Sequence, residues 1–294
     1  MAGDTKRSPA TRLYFIVARR SSMAVVFRRG PTKQVELLTW NLGTDELTPG
    51  QWLKGRIYER RCDLSPDGQL LVYFAAKYGT PMYSWTAISR PPYLTALNMW
   101  RKGDGWGGGG LFASNASLLL NHHPPQTELV EGYSLLPGLR VSPFGENPGR
   151  GEDDPIHHTR LLRDGWTWVD HGSKANWRFR TNVPYFLTYD PPLEYVPALG
   201  RGPNQLRMFV HGHGEQQGVA NVLSYELVHD GEQRDLGRAD WADSDHNGDL
   251  LLAREGRLFR LAGSDFGSEP REVADLRSHR FEERQAPAEA LRRR

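Results

Sequence analysis

Short apolar runs of strand length recur along the whole chain, separated by turn-forming residues. "LYFIVAR" (Leu13–Arg19), "MAVVFRR" (Met23–Arg29) and "VELLTWNL" (Val35–Leu42) open it. "LLVYFAA" (Leu70–Ala76), "SWTAIS" (Ser84–Ser89) and "YLTALNMW" (Tyr93–Trp100) follow. Then come "GWTWV" (Gly165–Val169), "YFLTYD" (Tyr185–Asp190), "LRMFVHG" (Leu206–Gly212), "VLSYELV" (Val222–Val228), "DLLLA" (Asp249–Ala253) and "RLFRLA" (Arg257–Ala262). Alternating or continuous apolar runs this short, bounded by Gly, Pro, Asn and Asp, predict strands. Asp67-Gly68, Asp164-Gly165, Asp230-Gly231 and Asn247-Gly248 supply the positive φ that hairpin bends need. A helical pattern is left for the polar C-terminal stretch beginning "SEPREVADL". The pattern predicts an all-β chain.

An internal repeat narrows the architecture. "DLSPDGQLLVY" begins at Asp63 and "DSDHNGDLLLA" at Asp243, an offset of 180 residues. Laid together, they match Asp63 with Asp243, Asp67 with Asn247, Gly68 with Gly248, and Leu70-Leu71 with Leu250-Leu251. That offset is four units of about 45 residues, the length of a four-stranded propeller blade. A fainter copy, "RDGWTWV", falls between the two. A blade cannot bury its own faces, so such units repeat around an axis.

"LSPDGQLLVYFA" (Leu64–Ala75) resembles the SPDG hairpin-and-strand of the WD40-like repeats in TolB-type β-propellers, and "DSDHNGDLLLAREGRLFRL" is similar to a degenerate sister. The resemblance implies a β-propeller of about five or six four-stranded blades over residues 1–267. Residues 268–294 would be a polar C-terminal tail, partly helical or disordered. In such a ring the N-terminal strand is expected to close the last blade, pairing "LYFIVAR" with "RLFRLA". Proteins of this type commonly serve as interaction platforms, though the fold also hosts enzymes.

Composition alters this picture little. The 294 residues carry 38% hydrophobic and 24% charged side chains and a net charge of +2, enough apolar material for a core and no mark of a polyanionic partner. Residues 1–33 are locally basic (Lys6, Arg7, Arg12, Arg19, Arg20, Arg28, Arg29 and Lys33 against Asp4), but no aromatic RNA-binding signature accompanies them. Cys62 is alone, so no intrachain disulfide forms, and a buried structural thiol is expected. Neither a signal peptide nor an apolar stretch of membrane-spanning length is visible, which points to the cytoplasm.

The four glycines Gly107–Gly110 in "RKGDGWGGGGLFASN" invite comparison with a phosphate-binding loop. Leu111-Phe112 follow them, where a Walker loop needs Lys and a hydroxyl. A structural bend is expected instead. In "DSDHNGD", Asp243, Asp245, Asn247 and Asp249 place oxygens at alternate positions as a calcium loop does, although Arg254 stands where the bidentate Glu belongs. Histidines offer a second chemistry. His211 and His213 share one side of a strand, and His157, His158 or His171 could complete a transition-metal or catalytic set. "GEDDP" (Gly151–Pro155) reads as a solvated acidic loop. Aromatic clusters (Tyr83, Trp85, Tyr93, Trp100, Trp106; Trp166, Trp168, Trp177) supply packing and, on a rim, anchors for a partner.

The sequence therefore points to a monomeric, non-enzymatic scaffold that binds another protein through its central rim, without cofactor unless calcium occupies the acidic loop. Neither nucleic acid nor a membrane is the expected partner. The rival reading is a hydrolase or lyase with a His-rich site at the propeller axis. Convergence separates the two: an enzyme gathers at least three of those histidines at one cavity, and a scaffold leaves them apart.

Overall fold

A computed structural model of the chain describes residues 11–30, 33–79, 81–180, 183–197, 204–214 and 221–293. Among them the chain is all-β, with five sheets and one short α-helix. The first sheet takes β1 (Arg12–Val17), β2 (Met23–Arg29), β3 (Gln34–Asn41) and β4 (Glu46–Lys54) in chain order. The second has β5 (Arg56–Ile57) and β6 (Asp63–Leu64) both paired to β7 (Leu71–Ala76), followed by β8 (Ser84–Ser89) and β9 (Asn98–Arg101). Every residue of β7 and β8 is buried, which explains why β7 reads as an unbroken apolar run, while β8 buries Ser84, Thr86 and Ser89 beside its apolar residues.

The third sheet joins β10 (Gly110–Ser114) to β11 (Ser117–Leu120) as a hairpin and adds β12 (Arg140–Pro143) in parallel. Phe112, Leu118 and Leu120 from this sheet pack with Val72, Ile88, Leu97 and Trp100 into one apolar core. Helix α1 (Asp154–Arg163) follows. It begins within "GEDDP", so the acidic-loop expectation holds for residues 151–153, which form a bend, and is corrected to a helix start for the last two: Pro155 fits the first turn, where no intrahelical N–H is needed, and Asp154 meets the positive end of the helix dipole.

The fourth sheet is six-stranded: β13 (Trp166–Val169), β14 (Lys174–Arg180), β15 (Val183–Pro197), β16 (Asn204–His213), β17 (Asn221–His229) and β18 (Glu232–Arg238). Its order is β13-β15-β16-β17-β18, and β14 also pairs with β15. Thus β13 and β14 lie one after the other along the same fifteen-residue strand. The last sheet is the four-stranded meander β19 (Trp241–Ser244), β20 (Leu250–Arg254), β21 (Arg257–Leu261) and β22 (Arg271–Asp275).

Two sheets have the expected four strands; the others have five, three and six. The expected closure is corrected. β1 pairs with β2, and the last sheet is completed by β22, which belongs to the segment read as a tail. The reason is local: Ala18 N–H donates to Met23 O (2.8 Å) across a tight bend, so β1 folds back onto its neighbour, the pairing with the shortest loop to close. The beginning of β1 still meets the approach to β19, where Leu13 N–H donates to Asp240 (3.2 Å) and Tyr14 packs on Trp241 with ring centroids 4.7 Å apart. Farther along the C-terminal segment, Ala288–Leu291 form a 3-10 turn.

The chain divides into two compact units. One is built on Gly165–His279, the other on Lys33–Asp164 with Phe15–Arg29 and Arg280–Arg294. Among the described residues no helix is long and apolar enough to cross a membrane. Of the basic N-terminal stretch, Lys6 and Arg7 lie outside the described residues.

Candidate interaction site

The two repeated turns bend alike, although the second is one residue shorter, Leu64 pairing with Leu71 and Ser244 with Leu250, and its own side-chain bonds decide what the acidic one does. In the first, Ser65 N–H donates to Leu70 O (2.8 Å), Gly68 N–H to Ser65 O (2.9 Å), and the Ser65 hydroxyl accepts from Leu70 N–H (2.9 Å). In the second, Asp245 N–H donates to Asp249 O (3.0 Å) and Gly248 N–H to Asp245 O (3.2 Å). Asp245 Oδ1 accepts from Asn247 N–H (2.8 Å) and Asp249 N–H (3.0 Å). Ser65 and Asp245 stand 180 residues apart and both use a side-chain oxygen to close the bend, with Gly68 and Gly248 at φ +77° and +82°.

The remaining oxygens of the acidic turn meet Arg260. Its guanidinium pairs with Asp245 Oδ2 and, through Nε, with Asp249 Oδ2 (2.9 Å), while Asp249 Oδ1 accepts from Gly263 N–H (2.9 Å). Asp243 Oδ1 accepts from Ser244 N–H (2.8 Å). The arginine charge thus sits between the two carboxylates that a calcium ion would share. Among the described residues, no three of His, Cys, Asp and Glu gather where a metal could be held.

The glycine run is a bend packed against the fold. Gly107, Gly108 and Gly109 all have positive φ, and a Cβ at each would approach another atom to 2.5 Å or less. Their amides are spent internally, on Gly151 O (2.7 Å), Asn121 O (2.7 Å) and Thr86 Oγ1 (2.8 Å). A phosphate would find none of these three donors free. Arg61, almost wholly buried, binds Gly105 O (2.7 Å) and Gly107 O (2.6 Å) from the other side and pairs with Asp153 (2.7 Å) ahead of α1. Cys62 is fully buried, and burial pushes its thiol well above the usual range, which disfavours the thiolate.

Among the described residues the five singled-out histidines form no group of three that could hold a metal. His157 is buried on α1 beside Arg60 and Arg160, with half-buried His158 next to it in the helix. His171, His211 and His213 belong to the other unit and make separate bonds: to Glu194, to Ser224 Oγ (2.8 Å) and to Asn221 Oδ1 (2.5 Å). Burial, helped by Arg238, lowers the pKa of His211.

His171 is part of a charge ladder that sequence reading missed. The Glu194 carboxylate, nearly buried on β15, contacts His171 Nε2 on one oxygen and Arg207 Nε (2.6 Å) on the other; Arg207 continues to Glu226 (2.9 Å). Burial alone would raise the Glu194 pKa, but the hydrogen bonds from Arg207 and His171 outweigh it and hold the carboxyl below the usual range. The available signal was one Glu in "PPLEYVP" and one Arg in "QLRMFV", each a lone charge inside an apolar strand.

The aromatic clusters split cleanly. Trp85, Trp100 and Trp166 are buried core, whereas Trp106 is 61% exposed, Trp168 45% and Trp177 58%. Trp168 and Trp177 stand on β13 and β14, both along the outer side of β15, and Trp168 lies opposite Tyr195.

No family model matches the chain, and no curated protein matches it. Among solved structures it is similar to tricorn protease (10% identity, TM-score 0.23, covering 89% of this chain and 22% of that one). It is also similar to an uncharacterized protein of Listeria monocytogenes EGD-e (8%, TM-score 0.30, 94% and 86%) and to a prolyl endopeptidase (7%, TM-score 0.27, 89% and 42%). The chain spans about a fifth of the tricorn protease chain. At these scores the likenesses carry neither a fold assignment nor an activity.

Proposed function

We propose that the chain is a non-catalytic interaction module, a β-propeller scaffold whose five sheets serve as blades and whose six-stranded sheet offers the contact surface. The observation that carries this reading is the pair of exposed tryptophans, Trp168 and Trp177, on the outer strands of that sheet. Large aromatics left in water are costly in an isolated protein and are the usual anchors of protein contacts. Support also comes from the repeated turns 180 residues apart. Affinity capture with the wild-type chain and with a Trp168→Ala/Trp177→Ala variant tests it. The variant should lose a reproducible set of partners while its melting temperature stays within about 2 °C, since exposed positions contribute little to stability. Identical capture by both proteins would overturn the reading.

One observation favours a second reading. A nearly buried Glu194 orienting a 44% exposed His171 is the acid–imidazole half of a general-base arrangement. Turnover of an ester, lactone or peptide substrate that disappears in His171→Ala would establish a hydrolase.

A further inference from the structure

Strand β14 reads "KANWRFR", three basic residues and no acidic one. Among the described residues it pairs with β15 alone, and Lys174, Ala175, Asn176 and Trp177 are all exposed. An antiparallel edge strand turns the N–H and C=O of alternate residues outward, so β14 offers a ready template for another strand. It is already ordered by β15, from Lys174 opposite Asp190 to Trp177 opposite Leu187.

Basic residues on an edge repel a second copy of the same edge, which is one way proteins prevent self-association. That role does not call for Trp177. An exposed indole adds the apolar surface that such protection normally avoids. Strand alternation assigns Lys174 and Asn176 to one side and Ala175 and Trp177 to the other. One side is polar and basic, and the other carries the aromatic. The single acidic residue opposite, Asp190, leaves the edge with a basic excess.

We propose that the free edge of β14 takes up an extended acidic segment of another protein as an added strand of the six-stranded sheet. The segment would alternate acidic and apolar residues, its carboxylates beside Lys174 and its apolar side chains beside Trp177. Main-chain hydrogen bonds would supply register, and the alternation would supply specificity. This inference rests on the interaction-module reading and names the chemistry of its partner.

The probe is a synthetic heptapeptide alternating Glu with Val and Phe, labelled and titrated into the full chain. Its controls are the same peptide with Lys for Glu and the same peptide N-methylated at alternate residues. Binding of the acidic peptide alone, weakening as salt rises, with new amide protection on β14, is the expected result. Trp177→Ala and Lys174→Glu should each weaken it by about tenfold without changing the melting temperature. Equal binding of all three peptides, protection elsewhere, or unchanged affinity in both variants overturns the inference. If the peptide does not bind but Trp168→Ala/Trp177→Ala still loses its captured partners, the edge inference falls and the interaction module stands. If the peptide binds and capture is unchanged, the broader reading falls.

Discussion

At Gly109 the backbone takes φ +77°, and an added Cβ would lie 2.0 Å from the Arg61 carbonyl oxygen. Neither the left-handed conformation nor the contact can be relieved by moving a flexible side chain. Gly109→Ala should therefore destabilise the chain by roughly 3 kcal/mol in denaturant unfolding. Gly105→Ala, with nothing within 4 Å and no positive φ, should be close to neutral. The amide of Gly109 also anchors a buried chain of hydrogen bonds. It donates to Thr86 Oγ1 (2.8 Å), whose hydroxyl donates to His122 Nε2 (2.8 Å), while His122 Nδ1–H donates to Gln126 O (2.9 Å). This network needs a neutral imidazole, and burial holds the His122 pKa down at about 4 against an ordinary 6.5. The unfolded chain binds the proton more readily than the folded one. The stability contribution is thus complete above pH 6.5 and is lost as pH falls toward 4, about 3 kcal/mol in all. Unfolding free energies measured across that window should show the slope in the wild type and lack it in His122→Asn. What the sequence made legible at this scale was the negative result, a glycine run with no Lys or Thr to follow. The His122 network was not legible, because its partners come from positions 86, 109 and 126.

Elements were legible where burial made them continuous. β2 and β8 coincide with the strand-length stretches Met23–Arg29 and Ser84–Ser89. β4, β14 and β18 carry polar or basic residues on partly exposed positions, so no apolar period marks them, and Pro49 inside β4 argues further against a strand. Helix α1 is held as much by charge as by apolar contact. Arg163 grips the fully buried Asp63 with both terminal nitrogens (2.6 and 3.0 Å), and Asp63 also accepts Phe112 N–H (2.7 Å). Asp63→Asn would remove one of the two carboxylates on a largely buried guanidinium and leave Arg163 with Asp164 alone. It should cost about 3 kcal/mol in equilibrium unfolding and raise proteolytic cleavage within α1 first. The acidic turn makes the opposite forecast. Because its counterpart closes with Ser65, Asp245→Ser should keep the bend and lose only the Arg260 pair, whereas Asp245→Ala loses both and should fall lower by about 1 kcal/mol. Chelator should not move the melting temperature of the wild type.

For the whole molecule, the 180-residue spacing was readable because both hairpins kept their glycine and their leucine pair. How the sheets are completed was not, since strand pairing is settled by competition between a nearby partner and a distant one. β1 takes the near partner, and the last sheet takes β22 from the presumed tail. The remaining described residues of that segment, 280–293, run along the unit built on Lys33–Asp164 without adding a strand to it. Phe281 meets Trp52 edge-on at 6.0 Å, and Lys54 lies 4.2 Å from its ring centre. Arg284 donates to Pro49 O (2.7 Å), and Gln51 donates back to Arg284 O (2.9 Å). Arg293 ends the run on Leu97 O (2.8 Å) and Ser134 Oγ (3.0 Å). Each contact is modest, and several are partly exposed, yet together they tie β4 to the loops that carry Leu97 and Ser134. Removing residues 280–294 should cost about 3 kcal/mol, or roughly 5–10 °C in the melting of that unit. Hydrogen exchange should show the loss in β4 and β8 and leave β16 and β17, in the other unit, as protected as before. An unchanged melting temperature would mean that the segment rests on the surface without fastening it.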